Sequence, residues 1–493
     1  MKFNNRDNQT KILLVCILLL ALFLRFWNLN KTPGWFPDEG VDLNLAWNLI
    51  HGKGQLFSTV YPFVPHPPLY YFLSGLFLLI FGKSIFVMRL FSALCSLGII
   101  YLLYLIGAKL ENKRAGLLAA FLFTIYPSVI ISGRYGLSYH FFELLLTLSL
   151  YFLACFSKEN KSQDLLKSAL FAGLSVVASY FGFGMVLVVC LVALLKAKKQ
   201  IIPVLGLVLG PFVLYVITGL ILDSLHFSQA VTFMLSRKDV AKKPLEQLFA
   251  SYRFFKEDFL IPVGAAGLLF LPGPIKWWAL LAFLGTSTSE FIFRGFWRYI
   301  SSYLFLSMLG AGFLFDWCFR VVGKEFGKYQ RWGYFCAFLI FFLCVGWGYL
   351  VPDLKTVYSG RWFGLFEEKS YSPNSLSDLA DAVAYINQKT NLEDVVLVSP
   401  HLAWLIKSRT SDPFQAYIYT DRGTFNFPSN MKKYHWFYYD PSLENAKLVL
   451  KDKFLDWFAC ENSVNKEILS RIYQSWPVVY QKGEFTVYRN PRR

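Results

Sequence analysis

Charge is what this sequence has least of. Only 16% of its 493 residues are charged, against about 25% in an ordinary soluble chain. Acids are scarcer than bases, 32 against 49, which leaves a formal net charge of +17. The eight cysteines include no C-x-x-C pair and no Cys/His ligand spacing. That excludes a zinc-ribbon site and a disulfide framework. Internal repeats and low-complexity segments are also absent. The first apolar run is followed by no small-residue cleavage pattern, so it reads as a retained signal anchor.

Apolar residues fill the space that charge leaves. They make up 55% of the chain, aromatics alone 19%, and the mean hydropathy is +0.42. Runs 12–24, 115–131 and 201–222 carry no charge, and runs of about 17–25 residues span a bilayer as helices. They lack the alternation of barrel strands, so helices are the solution that satisfies the backbone in lipid. The surplus of basic residues sits in short clusters between apolar runs: Lys109/Lys113/Arg114, Lys158/Lys161/Lys167, Lys196/Lys198/Lys199 and Arg320/Lys324/Lys328/Arg331. That spacing marks cytoplasmic loops and argues against nucleic-acid binding.

Taking those clusters as cytoplasmic sets a topology. The N-terminus lies inside, 12–29 cross outward with Arg25 snorkelling at the far end, and 30–68 form an outer loop. Residues 69–82 are too short to cross and lie in the interface. Residues 84–107 cross back, which puts Arg89 near the outer loop. Residues 115–131 cross outward, 132–140 face out, and 168–195 make two crossings around Gly182–Gly184. Residues 201–222 lead to a polar outer loop at 223–258. The expectation is about eleven crossings in a module over 1–358, followed by an extracytoplasmic α/β domain over 359–493. In that domain 375–389 read as an amphipathic helix, and 394–399 and 484–488 as strands.

The first outer loop carries the chemistry. Asp38 and Glu39 are adjacent acids, which the dipole of a following helix would favour in any case. Around them the expected outer face collects His66, Arg89, Arg134, Arg237, Lys238, Arg294 and Arg298. An arginine at an interface is often only an anchor. A set of cations beside a carboxylate pair is what an anionic lipid-phosphate ligand requires. Trp35, Trp47 and Tyr70–Tyr71 suit the headgroup level.

In order, the chain shows Asp-Glu in the first outer loop, His66-Pro67-Pro68 before a short helix, Arg89-Leu-Phe-Ser-Ala-Leu94, a basic turn, and Arg134-Tyr135 after the next helix. This set resembles the protein O-mannosyltransferase and aminoarabinose transferase superfamily, glycosyltransferases of the GT-C fold. The resemblance is best over 20–160 and returns at 293–306. It implies an all-helical polytopic membrane module with a sugar donor on a polyprenyl or dolichyl phosphate. It also implies transfer on the non-cytoplasmic face, with Asp38 as catalytic base. Glu39, Arg89, Arg134, Tyr135, Arg298 and Tyr299 would bind substrate, joined by His66, where relatives carry a lysine, and by Arg237. The acceptor is a protein, lipid or glycan group in the membrane of a prokaryote. No cofactor is required, although the acids could hold a divalent metal. One departure is Tyr139-His140, where relatives of the aminoarabinose type have an aspartate; the nearest acid is Glu143. A secondary transporter and a non-catalytic membrane scaffold are the rival classes.

Overall fold

The computed structural model describes residues 5–30, 32–34, 37–51, 67–236, 259–293, 301–359, 376–399, 402, 405–411, 445–452, 455–456 and 463–493. Among the described residues fifteen α-helices come first: α1 Asn5–Phe26, α2 Pro37–Ile50, α3 Leu69–Phe81, α4 Ile85–Lys109, α5 Lys113–Ile125, α6 Pro127–Arg134, α7 Tyr139–Glu159, α8 Ser162–Val176, α9 Phe183–Lys196, α10 Ile201–Ser236, α11 Leu260–Gly267, α12 Ile275–Phe293, α13 Ser301–Glu325, α14 Gln330–Val345 and α15 Val351–Ser359. Among the described residues six helices are long and apolar enough to cross a membrane, or seven if α5 and α6 form one bent span. The chain is an integral, multi-pass membrane protein. The figure of about eleven crossings rests on the sequence alone, because several expected crossings are short helices here.

Local sequence explains these boundaries. Ser84 caps α4 by accepting from the Val87 N–H, and Asn112 caps α5 through Ala115 N–H. Run 115–131 is not one straight helix. Pro127 cannot donate to the turn before it, and α5 and α6 meet at 62°. Helix α3 has 13 residues, about 20 Å at 1.5 Å per residue, short of a crossing as the sequence implied. The 168–195 region does split in two, but the break falls at a 3-10 turn, Tyr180–Gly182, and α8 begins within the stretch expected to be a basic loop. The expected polar loop after 222 is also corrected: α10 is one 36-residue helix to Ser236.

Lipid-facing rows are plain on α9 and α10, where Leu187 is 69% exposed and Ile202 79%. Where helices cross most closely, side chains are missing altogether. A Cβ on Gly264 of α11 would stand 2.1 Å from the Ser307 carbonyl oxygen of α13. Small residues let backbones approach in lipid, where apolar burial between helices yields little.

The C-terminal part is α/β. Helix α16 (Leu376–Lys389) precedes strands β1 (Val395–Leu397), β2 (Arg409–Ser411) and β3 (Leu448–Lys451); α17 (Ser463–Ser475) and the hairpin of β4 (Val478–Lys482) and β5 (Phe485–Arg489) follow. The sheet order is β2-β1-β3-β5-β4. The first three strands are parallel, and β5 runs antiparallel to β3 and β4. Val396, Leu397 and Val398 are fully buried, so the unbroken apolar run of β1 reflects cover on both faces.

Candidate functional site

The acids of the first loop lie in the first turn of α2. Successive helix positions point about 100° apart, and the two carboxylates meet different surroundings. Glu39 is fully buried, whereas Asp38 is partly exposed. Glu39 forms a fork with Arg89 of α4: Nε donates to Oε1 and Nη2 to Oε2, both at 2.7 Å. The other Arg89 donors reach the carbonyls of Leu29 at 3.0 Å, Pro33 at 2.9 Å and Gly34 at 2.8 Å. All five guanidinium N–H groups are thereby used. The Arg89 guanidinium also lies 5.7 Å from the centre of the Tyr135 ring.

Gly136 completes this knot. Its N–H donates to Glu39 Oε1 at 2.8 Å, and its carbonyl accepts from the Tyr70 hydroxyl at 2.9 Å. A Cβ there would stand 2.6 Å from Met88 Cβ. Tyr71 donates to Asp42 Oδ1 at 3.0 Å. Asp42 lies four residues beyond Asp38, on the same helix face.

Two further arginines brace the loop by capping helix ends. Arg134, at the end of α6, donates to the carbonyls of Leu24 at 2.7 Å, Trp27 at 2.6 Å and Thr32 at 2.7 and 3.0 Å. These include carbonyls at the end of α1 that lack intrahelical donors. Arg25 of α1 returns the favour to α5. It donates to the carbonyls of Phe123 and Thr124, freed by the break at Pro127, and to Ser96 Oγ at 2.7 Å. A cation at a helix C-terminus also complements the dipole. Arg25 is therefore not a snorkelling anchor: it is fully buried.

The expected site residues fall into two groups. Asp38, Glu39, Arg89, Arg134 and Tyr135 gather at one end of the bundle. Arg89 and Arg134 were expected in the donor site, Arg89 within reach of the first-loop acids or of a phosphate between them, and Arg89 does reach Glu39. Here their donors are held by Glu39 and by backbone carbonyls, so they build the loop and do not present a bare guanidinium. His66, Arg237, Arg298 and Tyr299 lie outside the described residues, as do Lys238 and Arg294. Tyr70 and Tyr71 are not headgroup anchors but buried polar contacts. Glu143 is no ordinary helix-end residue either. It is fully buried, its Oε2 lies 3.0 Å from His140 Nδ1, and its Oε1 accepts from Phe305 N–H at 3.1 Å. Sequence reasoning missed Gly136, Asp42 and this His140–Glu143 pair. The i,i+4 spacing from Asp38 was the available signal for Asp42. Among the described residues no group of three or more His, Cys, Asp or Glu is placed to hold a metal ion.

The fold and this knot define a polytopic membrane protein with a polar centre at one end of its helical module. Residues 65–220 match the dolichyl-phosphate-mannose-protein mannosyltransferase family. An uncharacterized protein of Aquifex aeolicus strain VF5 is 29% identical over 201 residues, a stretch that spans 39% of this chain and 40% of that relative. The crystal structure of ArnT from Cupriavidus metallidurans bound to undecaprenyl phosphate superposes with a TM-score of 0.63 at 13% identity, covering 97% of each chain. The apo oligosaccharyltransferase of Archaeoglobus fulgidus gives 0.58 at 15% identity, covering 98% of this chain and 74% of that one. The chain shares the overall fold of these structures, the GT-C fold.

Proposed function

We propose that this chain is a membrane glycosyltransferase that moves a sugar from a polyprenyl- or dolichyl-phosphate donor to an acceptor hydroxyl or amine. The supporting observation is the contrast between neighbouring acids: Glu39 is locked to Arg89, while Asp38 keeps partial access to solvent beside it. A carboxylate so placed can take the acceptor proton as the acceptor oxygen or nitrogen attacks C1 of the sugar. The C1–O bond to the phosphate breaks, and the lipid phosphate leaves with the electron pair. Direct displacement inverts the anomeric centre. His66, Arg237, Arg298 and Tyr299 are assigned to the phosphate, where cations and donors would stabilise the charge released on it. In this reading Arg89, Arg134 and Tyr135 position the loop, and Glu39 orients its neighbour. The chemistry needs no cofactor, and the acceptor is a protein, lipid or glycan group on the non-cytoplasmic face. The structural neighbours that carry undecaprenyl phosphate or dolichol phosphate support a lipid-linked donor.

The test is incubation of the purified protein with polyprenyl-phosphate sugars, with donor consumption followed by mass spectrometry. We expect turnover by the wild type and its loss in Asp38→Asn, by a factor of about 10²–10⁴. Uptake of a labelled solute into proteoliposomes without donor turnover would sink this reading in favour of a transporter.

A further inference from the structure

Arg89 and Lys109 sit near opposite ends of the 25-residue helix α4, about 30 Å apart at 1.5 Å per residue. At the Lys109 end, the α4–α5 turn, the segment after α11 and the second half of α13 surround a cavity of about 380 Å³. Glu111, Arg114, Asp316 and Arg320 line its polar side, and Phe270 and Phe313 its apolar side. Asp316 is 1% exposed. Its Oδ2 accepts from Asn112 Nδ2 at 2.9 Å and lies 3.0 Å from Arg320 Nε. Its Oδ1 has no hydrogen-bond partner among the described residues. A buried carboxylate oxygen in that state calls for a donor.

We propose that this cavity binds the headgroup of an aminophospholipid. The phosphate lies between Arg114 and Arg320. Arg320 contacts Asp316 through Nε, which leaves its terminal nitrogens for a phosphate oxygen. Arg114 is held over the Tyr334 ring, 5.2 Å from its centre. The ammonium group donates to Asp316 Oδ1, with Glu111 at the mouth. The acyl chains run over Phe270 and the exposed Trp317, whose rings lie 4.9 Å apart. Two guanidinium groups and the buried Asp316 carboxylate match a headgroup that carries both signs; Glu111 is paired with Lys158 at 2.6 Å. A glycerol headgroup brings no cation to Asp316 Oδ1, and a choline headgroup has no N–H to give.

The full chain is purified in detergent and supplied in turn with phosphatidylethanolamine, phosphatidylglycerol and phosphatidylcholine, and the retained lipid is counted by native mass spectrometry. Phosphatidylethanolamine is expected to be retained about tenfold more strongly, the factor that one charge-assisted hydrogen bond supplies. Soluble glycerophosphoethanolamine is expected to compete with it, and inorganic phosphate is not. Arg320→Gln, a change at an exposed side chain, is expected to remove the preference while leaving the melting temperature of the lipid-free protein in place. Equal retention of the three lipids, displacement by phosphate alone, or an unchanged preference in Arg320→Gln would overturn the assignment.

Discussion

The two ends of the helical module use arginine in opposite ways. At the α2 end Arg25, Arg89 and Arg134 are at most 1% exposed, and each is bonded to backbone carbonyls. At the other end the side chain of Arg320 is 54% exposed and borders an open cavity. A guanidinium in apolar surroundings is tolerable only when its donors are satisfied. At the α2 end the carbonyls of broken or ended helices supply those acceptors, so charge there acts as scaffold. At the other end the guanidinium of Arg320 lies at the surface, where a ligand can reach it.

That contrast sets a ladder of effects. The largest is expected at Arg89. Arg89→Met leaves Glu39 buried without its ion pair, and removing one member of a buried pair costs about 3–5 kcal/mol. Thermal unfolding in detergent should fall accordingly, and Arg89→Lys should rescue little, because three rotatable donors cannot replace a five-donor fork. Next comes Arg134→Gln, which strands carbonyls of α1 and should lower stability by about 2–3 kcal/mol. If either variant melts like the wild type, the scaffold description of this end is wrong.

A smaller, pH-dependent effect is expected in the α/β part. Burial pushes the Asp452 carboxyl from 3.8 up to about 7, against the pull of the Leu455 N–H and the Ser399 hydroxyl. The folded state then holds a proton that the unfolded chain has lost. Stability is therefore unaffected below about pH 4 and declines as pH rises from there to about 7. Asp452→Asn should flatten that decline, which hydrogen exchange in β1 and β3 at pH 5 and pH 8 would show. A slope as steep in the variant as in the wild type would remove Asp452 as its cause. The smallest effect belongs to Arg320→Gln: the arginine side chain is exposed and Asp316 keeps the bond from Asn112, so lipid-free stability should change by less than about 1 kcal/mol.

How far the sequence disclosed these ends follows from the physics of each signal. Uncharged runs announced the membrane helices because lipid admits few alternatives, and α3 declared itself short by length alone. The 62° bend at Pro127 and the extension of α10 to Ser236 were not visible: the first depends on whether a proline sits inside a run or begins a new helix, the second on a polar stretch remaining helical. Asp38 and Glu39 stood out as a pair, but their division of labour did not, because it depends on which way α2 faces Arg89. Gly136 was hidden for a related reason. Its importance lies in a backbone N–H and a close approach to Met88, neither of which has a side-chain signature. Arg25 and Arg134 were legible as interfacial cations but not as caps, since their acceptors lie roughly a hundred residues away in the chain.

The account turns on the difference between two adjacent acids, and one paired measurement tests it: donor turnover and melting temperature, side by side, for Asp38→Asn and Glu39→Gln. Asp38→Asn should melt like the wild type and lose transfer, while Glu39→Gln should melt lower. Wild-type turnover in a well-folded Asp38→Asn protein would contradict the assignment of the base.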